Sequence, residues 1–215
     1  MEVLLSGIMG YLFGNINPAY ILGKKHGFDI RNRGSHNAGA SNALIVMGKK
    51  AGIITALIDI AKAFCVAVLA SALFPSCGIA KEIAAIFCIL GHIFPFTMHF
   101  KGGKGLACIA GGVLAYNAKA FVILLAVEAV LALLTDYVCV IPISASIIIP
   151  ILYAKHHGSK LVLMLMSITA GIVILKHLEN IKRILHGVEA RISFLWNRDE
   201  EISRIKGNSA PDAEF

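Results

Sequence analysis

Charge is what this chain has least of. Only 15% of its 215 residues are charged, 57% are hydrophobic, and the mean hydropathy is +0.76. So little charge excludes a soluble globular domain, and the long apolar runs indicate a polytopic membrane protein. No Lys or Arg precedes Lys24, and no cleavage motif follows the first apolar run. We therefore expect that run to be retained as a membrane span and not removed as a secretory signal.

The signatures of several kinds of chemistry are also missing. The five cysteines include no CxxC pair, which predicts small buried hydrophobes and not disulfides or metal ligands. Cys88 and His92 have a spacing that suits a metal, but no third or fourth ligand follows at sensible spacing. His92 is instead expected to form an interhelical hydrogen bond. A GxSxG elbow, a P-loop and a histidine followed five residues later by aspartate are all absent. The sequence therefore predicts neither a metal nor a cofactor.

Seven apolar segments predict an all-α polytopic membrane bundle. They cover about residues 2–23, 51–73, 82–96, 105–118, 120–134, 138–154 and 161–176. Several are shorter than the roughly 20 residues of a full crossing, so we expect tilted or broken helices beside an enclosed cavity. Five spans with one re-entrant pair are the alternative. The bundle is expected to fill residues 1–192, and residues 193–215 to form a polar cytoplasmic tail.

The basic residues predict the orientation of the bundle. With the N terminus outside, the outer loops hold only Lys81, Lys119, Lys155 and Lys160. Fifteen basic residues then lie on the cytoplasmic side, namely Lys24, Lys25, Arg31, Arg33, Lys49, Lys50, Lys101, Lys104, Lys176, Lys182, Arg183, Arg191, Arg198, Arg204 and Lys206. This bias places the C terminus and the motif loops in the cytoplasm. The net charge of +7 suits anionic lipid and phosphorylated ligands, whereas the pattern does not suit nucleic acid.

A basic, glycine-rich loop is the most informative segment of the chain. It reads Lys101-Gly102-Gly103-Lys104-Gly105 and lies between two apolar segments. Glycine lets backbone N–H groups curl around an anion, and the two lysines add positive charge. Each glycine weakens a helix by about 1 kcal/mol relative to alanine, so packing explains them poorly. The loop therefore predicts phosphate binding, with His99 placed to assist, although a flexible basic loop beside a span is the alternative.

The first cytoplasmic loop contains a second polar turn. Ser35 and Asn37 offer hydroxyl and amide donors, and Gly34 and Gly39 free the backbone around them. Such a turn is able to donate to a phosphate or carbonyl oxygen. A polar turn that only connects two spans is the alternative interpretation.

Polar side chains also occur within the apolar segments. Asp59 and Lys62 share a helix face, either as a neutralised structural pair or beside a wet cavity. Glu128 is an isolated intramembrane carboxylate and hence a candidate functional residue. His177 and Asn180 share a face where the last span continues as a basic helix, a segment that also suits an interface with anionic lipid.

Together these motifs resemble the bacterial acyl-phosphate:glycerol-3-phosphate acyltransferases, the PlsY-type family. They follow the family's order and spacing over about residues 10–190. The matching segments are Asn15-Ile-Asn-Pro-Ala-Tyr20, Asp29-Ile-Arg31, Gly34-Ser35-His-Asn37-Ala-Gly39-Ala-Ser-Asn42, Asp59-x-x-Lys62, Gly91-His92-x-Phe94-Pro95, Phe100-Lys101-Gly-Gly-Lys104-Gly105, His177-x-x-Asn180-Ile-x-Arg183 and Gly187-x-Glu189. The resemblance implies a seven-helix bundle with cytoplasmic motif loops, in agreement with the topology that the charges predict.

The resemblance also implies an activity. A fatty acyl group moves from acyl phosphate to the 1-hydroxyl of glycerol 3-phosphate, and the products are lysophosphatidic acid and phosphate. Acyl phosphate is already activated, so the site has mainly to position substrates and stabilise charge. Implied catalytic residues are Lys104, Ser35, Asn37, His177 and Asn180; implied phosphate-binding residues are Lys101, Gly102, Gly103, Gly105, His99, Asn42 and Lys49; implied supporting residues are Asp59, Lys62, His92 and Glu189. Implied partners are membrane lipid and the enzyme that supplies acyl phosphate, at the bacterial cytoplasmic membrane.

Some positions depart from the family pattern. Ile45 stands where the family usually has an arginine that suits the glycerol-phosphate headgroup, and Lys49, one helical turn away, lacks arginine's bidentate fork. The segment Cys139-Val-Ile-Pro142 replaces a serine-rich stretch, and Ala63 and Asn15 replace a glycine and a serine. Two alternatives therefore stay open. One is a weak or altered-acceptor relative that binds acyl phosphate, and the other is a transporter of a phosphorylated solute.

Overall fold

The computed structural model describes residues 1–156 and 159–208, and every regular element in those ranges is helical. The α-helices are α1 (Glu2–Gly14), α2 (Pro18–Lys25), α3 (Ala40–Met47), α4 (Lys49–Leu73), α5 (Ala80–Ile93), α6 (Leu106–Tyr116), α7 (Ala118–Thr135), α8 (Val140–His156), α9 (Lys160–Leu185) and α10 (Arg198–Asn208). Short 3-10 turns cover Ile30–Asn32, Phe96–Met98 and Ile192–Leu195. The prediction of an all-α chain is confirmed.

Several helices are suited to cross a membrane. Within the described residues, four segments are long and apolar enough to span it, namely Lys49–Leu73, Ala80–Met98, Ala118–Thr135 and Lys160–Leu185. Helix α7 buries only 11% of its apolar window, so its valine and leucine side chains face outward, as lipid contact requires. Helices α6 and α8 are apolar but shorter. The count of seven crossings and the orientation of the termini stay predictions.

The first predicted span, residues 2–23, is broken into two helices. Helix α1 ends at Gly14, and α2 begins at Pro18, which has no N–H to continue a helix. Asn17 caps α2 by accepting a hydrogen bond from the Tyr20 N–H at 2.8 Å. Its amide nitrogen also donates to the Ala38 carbonyl at 2.9 Å. The break therefore turns the chain and fastens it to the first loop.

Glycines allow α1 and α5 to pack backbone to backbone. A methyl group on Gly10 would overlap the Ala84 carbonyl, and one on Gly14 would lie 2.8 Å from the Gly91 Cα. Small residues permit such close approach between helices in membranes. This contact brings the end of α5, and with it the basic loop, against the last turn of α1.

Five helices close into a ring. Helices α5 to α9 pack each against the next, and α9 packs back against α5. The ring surrounds a cavity of about 300 Å³. Between α7 and α8 of this ring, Glu128 accepts a hydrogen bond of 2.5 Å from the Ser144 hydroxyl, so the isolated carboxylate of the sequence has an interhelical partner.

The cysteines are all free thiols. Cys88, Cys108 and Cys139 are buried, as expected for small hydrophobes, whereas Cys65 is exposed. The prediction of burial is wrong for Cys65 because it lies on an exposed face of α4, beside the exposed Ala61 and Val68.

We predict that Gly10→Ala destabilises the fold while Gly171→Ala does not. Both positions are helical, but an added methyl at Gly171 meets nothing within 4 Å, whereas at Gly10 it overlaps backbone. The difference should be about 1–3 kcal/mol, the usual cost of overpacking, and should lower the melting temperature of the detergent-purified protein by several degrees. Equal melting temperatures for the two variants would contradict the packing described.

Candidate active site

Polar loops from three parts of the chain meet at one end of the bundle. The Arg31 guanidinium joins two of them, because it pairs with Asp29 at 2.7 Å and donates to the Met98 carbonyl at 2.7 Å. The hydrogen bond from Arg31 lowers the pKa of the Asp29 carboxyl below its usual value. The ion pair thus links the first loop to the loop that follows α5.

Asn42 organises the first loop from within. Its side-chain oxygen accepts from the Ser35 N–H at 2.8 Å, and its nitrogen faces the carbonyls of Ile30, Arg33 and Asn37 at 2.9–3.1 Å. The side chain is fully buried. Asn42 therefore holds Ser35 and Asn37 at the rim of the loop, and the prediction that it binds phosphate directly does not fit this geometry.

Two glycines of the basic loop act differently from the prediction. The Gly102 and Gly103 N–H groups donate to the carbonyls of Ile93 and His92, both at 3.1 Å, and so cap the end of α5. A Cβ on Gly102 would lie 2.6 Å from Pro95 Cδ, and one on Gly103 would lie 2.8 Å from His92 Cε1. Their N–H groups are not available to an anion, and packing explains both glycines after all.

The start of α6 remains open to an anion. Gly105 has a φ of 92°, and among the described residues no side chain caps the helix that begins after it. The first N–H groups of a helix need acceptors and carry partial positive charge. Lys104 precedes this terminus directly, whereas His99 and Lys101 are exposed. The predicted anion site therefore centres on Lys104, Gly105 and the N terminus of α6.

A chain of hydrogen bonds fixes Lys104. Its ammonium donates to the Asn180 side-chain oxygen, and the Asn180 nitrogen donates to Glu189 Oε1 at 2.6 Å. Arg183 Nε donates to the other oxygen of Glu189, also at 2.6 Å. Burial and the positive charge of Arg183 lower the pKa of Lys104 to about 8. Glu189 is already paired with Arg183, and the direct partner of Lys104 is the neutral Asn180 side chain. The positive charge of Lys104 is therefore left uncompensated and is able to attract an anionic ligand.

His177 lies one helical turn from Asn180 on the same face of α9. Its Nδ1 is 2.7 Å from the Val173 carbonyl oxygen. A carbonyl only accepts, so Nδ1 carries the proton and Nε2 of the neutral ring is an acceptor. The ring is buried. His177 is thus suited to orient a ligand hydroxyl by accepting a hydrogen bond from it at Nε2.

A buried cluster supports the basic loop from behind. Lys62 Nζ lies 2.7 Å from Asp59 Oδ1 and 3.1 Å from His92 Nδ1, and it donates to the Gly14 carbonyl at 3.1 Å. Among the described residues, Asp59, His92 and Cys108 form a group whose ligand atoms lie within 4.8 Å of one another. The ammonium sits beside two of these three ligands and would repel a metal ion. This geometry therefore suits a scaffold and not a metal centre.

Lys49 is not placed to replace an arginine at position 45. Helix α3 ends at Met47, Gly48 has a φ of 89°, and Lys49 begins α4. Ile45 and Lys49 therefore do not share one helical face, and Lys49 lies beside a recess with Phe194. The expectation that the two positions are one helical turn apart is wrong because the Gly48 break separates them.

The tail folds back onto the site, where the sequence predicted only a polar tail. The Arg204 guanidinium donates to the Gly187 carbonyl and, at 2.6 Å, to the Glu189 carbonyl, and it pairs with Glu201 at 2.5 Å. Glu201 in turn accepts from the Arg191 N–H at 2.9 Å. The i, i+3 spacing of Glu201 and Arg204 was the feature of the sequence that could have indicated a structured helix in the tail. Residues 209–215 of the predicted tail lie outside the described range.

Comparisons with known proteins agree on one family. A family model described as glycerol-3-phosphate acyltransferase matches residues 4–187. Glycerol-3-phosphate acyltransferase 1 of Oceanobacillus iheyensis is 34% identical over 207 residues, which cover 92% of this chain and 99% of that protein. Glycerol-3-phosphate acyltransferase of Thermoanaerobacter pseudethanolicus is 36% identical over 193 residues, which cover 89% and 96%.

Solved structures are similar as well. The glycerol 3-phosphate form of PlsY, an integral membrane glycerol 3-phosphate acyltransferase, superimposes with a TM-score of 0.81 at 31% identity, over 91% of this chain and 98% of that one. Its lysophosphatidic acid form gives a TM-score of 0.77 at 30% identity, over 91% and 97%.

We predict that inorganic phosphate binding weakens as the pH rises through about 8, the pKa of Lys104. Below that pH the ammonium is charged and attracts the anion, and above it the neutral amine does not. Titration calorimetry between pH 7 and 9.5 measures the change. Lys104→Arg, which stays charged, should bind with little pH dependence over this range. The same pH dependence in both proteins would contradict the role of Lys104.

We also predict that Arg204→Leu loosens the segment that carries Glu189. The variant loses two hydrogen bonds to backbone carbonyls and the pair with Glu201, so amide exchange of residues 187–191 should speed up, and phosphate affinity should fall by about threefold to tenfold. Lys182→Ala removes one exposed positive charge nearby and is the matched control. Unchanged amide exchange in the Arg204 variant would show that α10 does not stabilise the segment that carries Glu189.

Proposed function

The chain belongs to the glycerol-3-phosphate acyltransferase family, and we propose that it moves a fatty acyl group from acyl phosphate to the 1-hydroxyl of glycerol 3-phosphate. The products are lysophosphatidic acid and inorganic phosphate. One observation carries this proposal. A series of hydrogen bonds runs from Lys104 through Asn180 and Glu189 to Arg183, and Lys104 lies beside the uncapped start of α6. It places a fixed positive charge beside the first N–H groups of α6, which no side chain in the described ranges caps.

The donor phosphate fits at the start of α6. Backbone N–H groups and the helix dipole favour an anion there, and the Lys104 ammonium adds a full charge next to them. Ser35 and Asn37, held by Asn42 at the rim of the first loop, supply further donors to phosphate or carbonyl oxygens. Preorganised donors of this kind commonly account for 10²–10³-fold in rate each.

The acceptor fits beside His177. The Nε2 acceptor on this ring is able to hold the 1-hydroxyl, and Asn180 lies on the same face of α9. The hydroxyl oxygen then bonds to the acyl carbon, the bond between that carbon and the phosphate oxygen breaks, and the departing phosphate takes the hydroxyl proton. Each step needs placement and charge stabilisation more than a strong base.

One observation favours a second candidate, an acyltransferase with a different acceptor. Ile45 is half-buried and apolar at the position where the family usually has an arginine. An isoleucine makes no ion pair with the phosphate of glycerol 3-phosphate, and Lys49 lies across the Gly48 break. An acceptor hydroxyl on a less charged molecule would tolerate this change.

We further propose that the protein lies in the bacterial cytoplasmic membrane with this site facing the cytoplasm. The excess of basic residues at the site end supports that orientation. The acyl donor is amphipathic, so transfer from the enzyme that makes it would be helped by contact at the basic loops. The lipid product stays in the same membrane.

The test uses purified protein in nanodiscs, palmitoyl phosphate and glycerol 3-phosphate, with lysophosphatidic acid and phosphate both quantified. We expect equal amounts of the two products. Lys104→Ala should reduce the rate at least 100-fold, whereas Lys25→Ala, which removes an exposed charge at the same end, should change it little.

The other outcomes are informative. Phosphate release without lysophosphatidic acid would support the altered acceptor. Neither product from folded protein, or full activity in Lys104→Ala, would contradict the proposed function.

A further inference from the structure

The end of α5 presents three successive backbone carbonyls, and each accepts a hydrogen bond. The carbonyls of His92 and Ile93 accept from N–H groups of the basic loop at 3.1 Å. The carbonyl of Phe94 accepts from the Tyr11 hydroxyl of α1 at 2.7 Å. Helix-end carbonyls need such donors. Tyr11 therefore completes the same helix end that holds the basic loop, and with it Lys104.

Tyr11 lies where the backbones of α1 and α5 touch. A Cβ on Gly91 of α5 would overlap the Tyr11 carbonyl oxygen. The Tyr11 ring also stacks on Phe96, with the ring centroids 6.3 Å apart and the planes 22° apart. The hydroxyl and the ring of Tyr11 thus bind the chain on both sides of Pro95, so this residue fixes the turn after α5 to α1.

The ring of Phe94 is in contact with α9. The Lys176 ammonium nitrogen lies 4.9 Å from the centroid of this ring, which is within the reach of a cation–π interaction. Lys176 directly precedes His177, the proposed acceptor of the hydrogen bond from the 1-hydroxyl. Phe94 therefore joins the helix end that carries the basic loop to the turn of α9 that carries His177.

The proposed reaction needs these two parts of the site at a fixed separation, because Lys104 is to hold the donor phosphate and His177 the acceptor hydroxyl. The hydrogen bond from Lys104 to Asn180 also joins the two parts. Its ammonium, however, is the group that a phosphate engages. The contact between Phe94 and Lys176 uses no atom that binds a ligand, so it is able to keep the separation when the substrates are bound.

We propose that Tyr11 and Lys176 are positioning residues, which hold Phe94 from α1 and α9 and so set the separation of Lys104 and His177. This inference rests on the proposed function. A misplacement of about 1 Å costs up to about 100-fold in rate. Neither residue contacts a reacting atom, so their loss should slow the transfer and leave ligand affinity nearly unchanged.

The experiment measures kcat, the KM for glycerol 3-phosphate and the Kd for inorganic phosphate in nanodiscs, for Tyr11→Phe, Lys176→Met and the double variant. We expect kcat to fall about threefold to tenfold in each single variant, with KM and Kd changed by less than about twofold. Because both residues act through Phe94, the double variant should lose less than the product of the two single losses. Lys182→Ala, which removes an exposed charge on α9, should behave as the wild type.

A conservative variant separates the contact from the side chain as a whole. Lys176→Arg keeps a cation that is able to lie over Phe94, so it should retain most of the wild-type kcat. Unchanged kcat in both single variants would overturn the proposal. So would a fall in kcat that is matched by a loss of phosphate affinity, because it would show a general loss of structure.

Tyrosine and lysine also anchor helices at membrane surfaces, and the solvent of the assay distinguishes that role. Positioning predicts the same losses in detergent micelles as in nanodiscs. Losses confined to nanodiscs would assign Tyr11 and Lys176 to the membrane surface and overturn the proposal. No turnover by the wild type in either medium would instead refute the proposed function.

Discussion

The buried ammonium of Lys62 is the interaction on which the rest of the structure depends. It joins three helices, because it bonds to Asp59 on its own helix, to His92 of α5 and to the carbonyls of Gly14 and Ile16 where α1 breaks. Removing one partner from such a cluster leaves an uncompensated buried charge. The cluster therefore fixes where α1 stops, where the first loop begins and how the end of α5 supports the basic loop.

The basic loop shows a division of labour between neighbouring residues. Gly102 and Gly103 complete the end of α5, and Gly105 starts α6. Lys104 lies between Gly103 and Gly105, and its side chain reaches Asn180 of α9. Rigid backbone on both sides means that its charge is positioned before any ligand arrives, which is the condition under which electrostatic stabilisation is most effective.

The sequence was enough to predict the helical membrane fold and the segments that meet at the site, because apolar runs and ordered motifs are local signals. It failed where a residue's role depends on a distant partner. The N–H groups of Gly102 and Gly103 looked available until the carbonyls of α5 were placed beside them. The structural role of Asn42 was not visible in the sequence because its three carbonyl partners are spread over residues 30–37. The prediction of one continuous span over residues 2–23 was wrong because this apolar run contains two helices, the second of which begins at Pro18.

The family match ends at residue 187, yet the fold does not end there. Arg204, far beyond that limit, bonds to the carbonyls of Gly187 and Glu189. The boundary drawn by homology therefore cuts through a set of hydrogen bonds. A chimera that joins the helical bundle of one family member to the C terminus of another should keep the end of α9 and α10 from the same parent, because a junction at residue 187 separates Glu189 from Asn180 and Arg183, to which it bonds, and Arg204 from the Gly187 carbonyl.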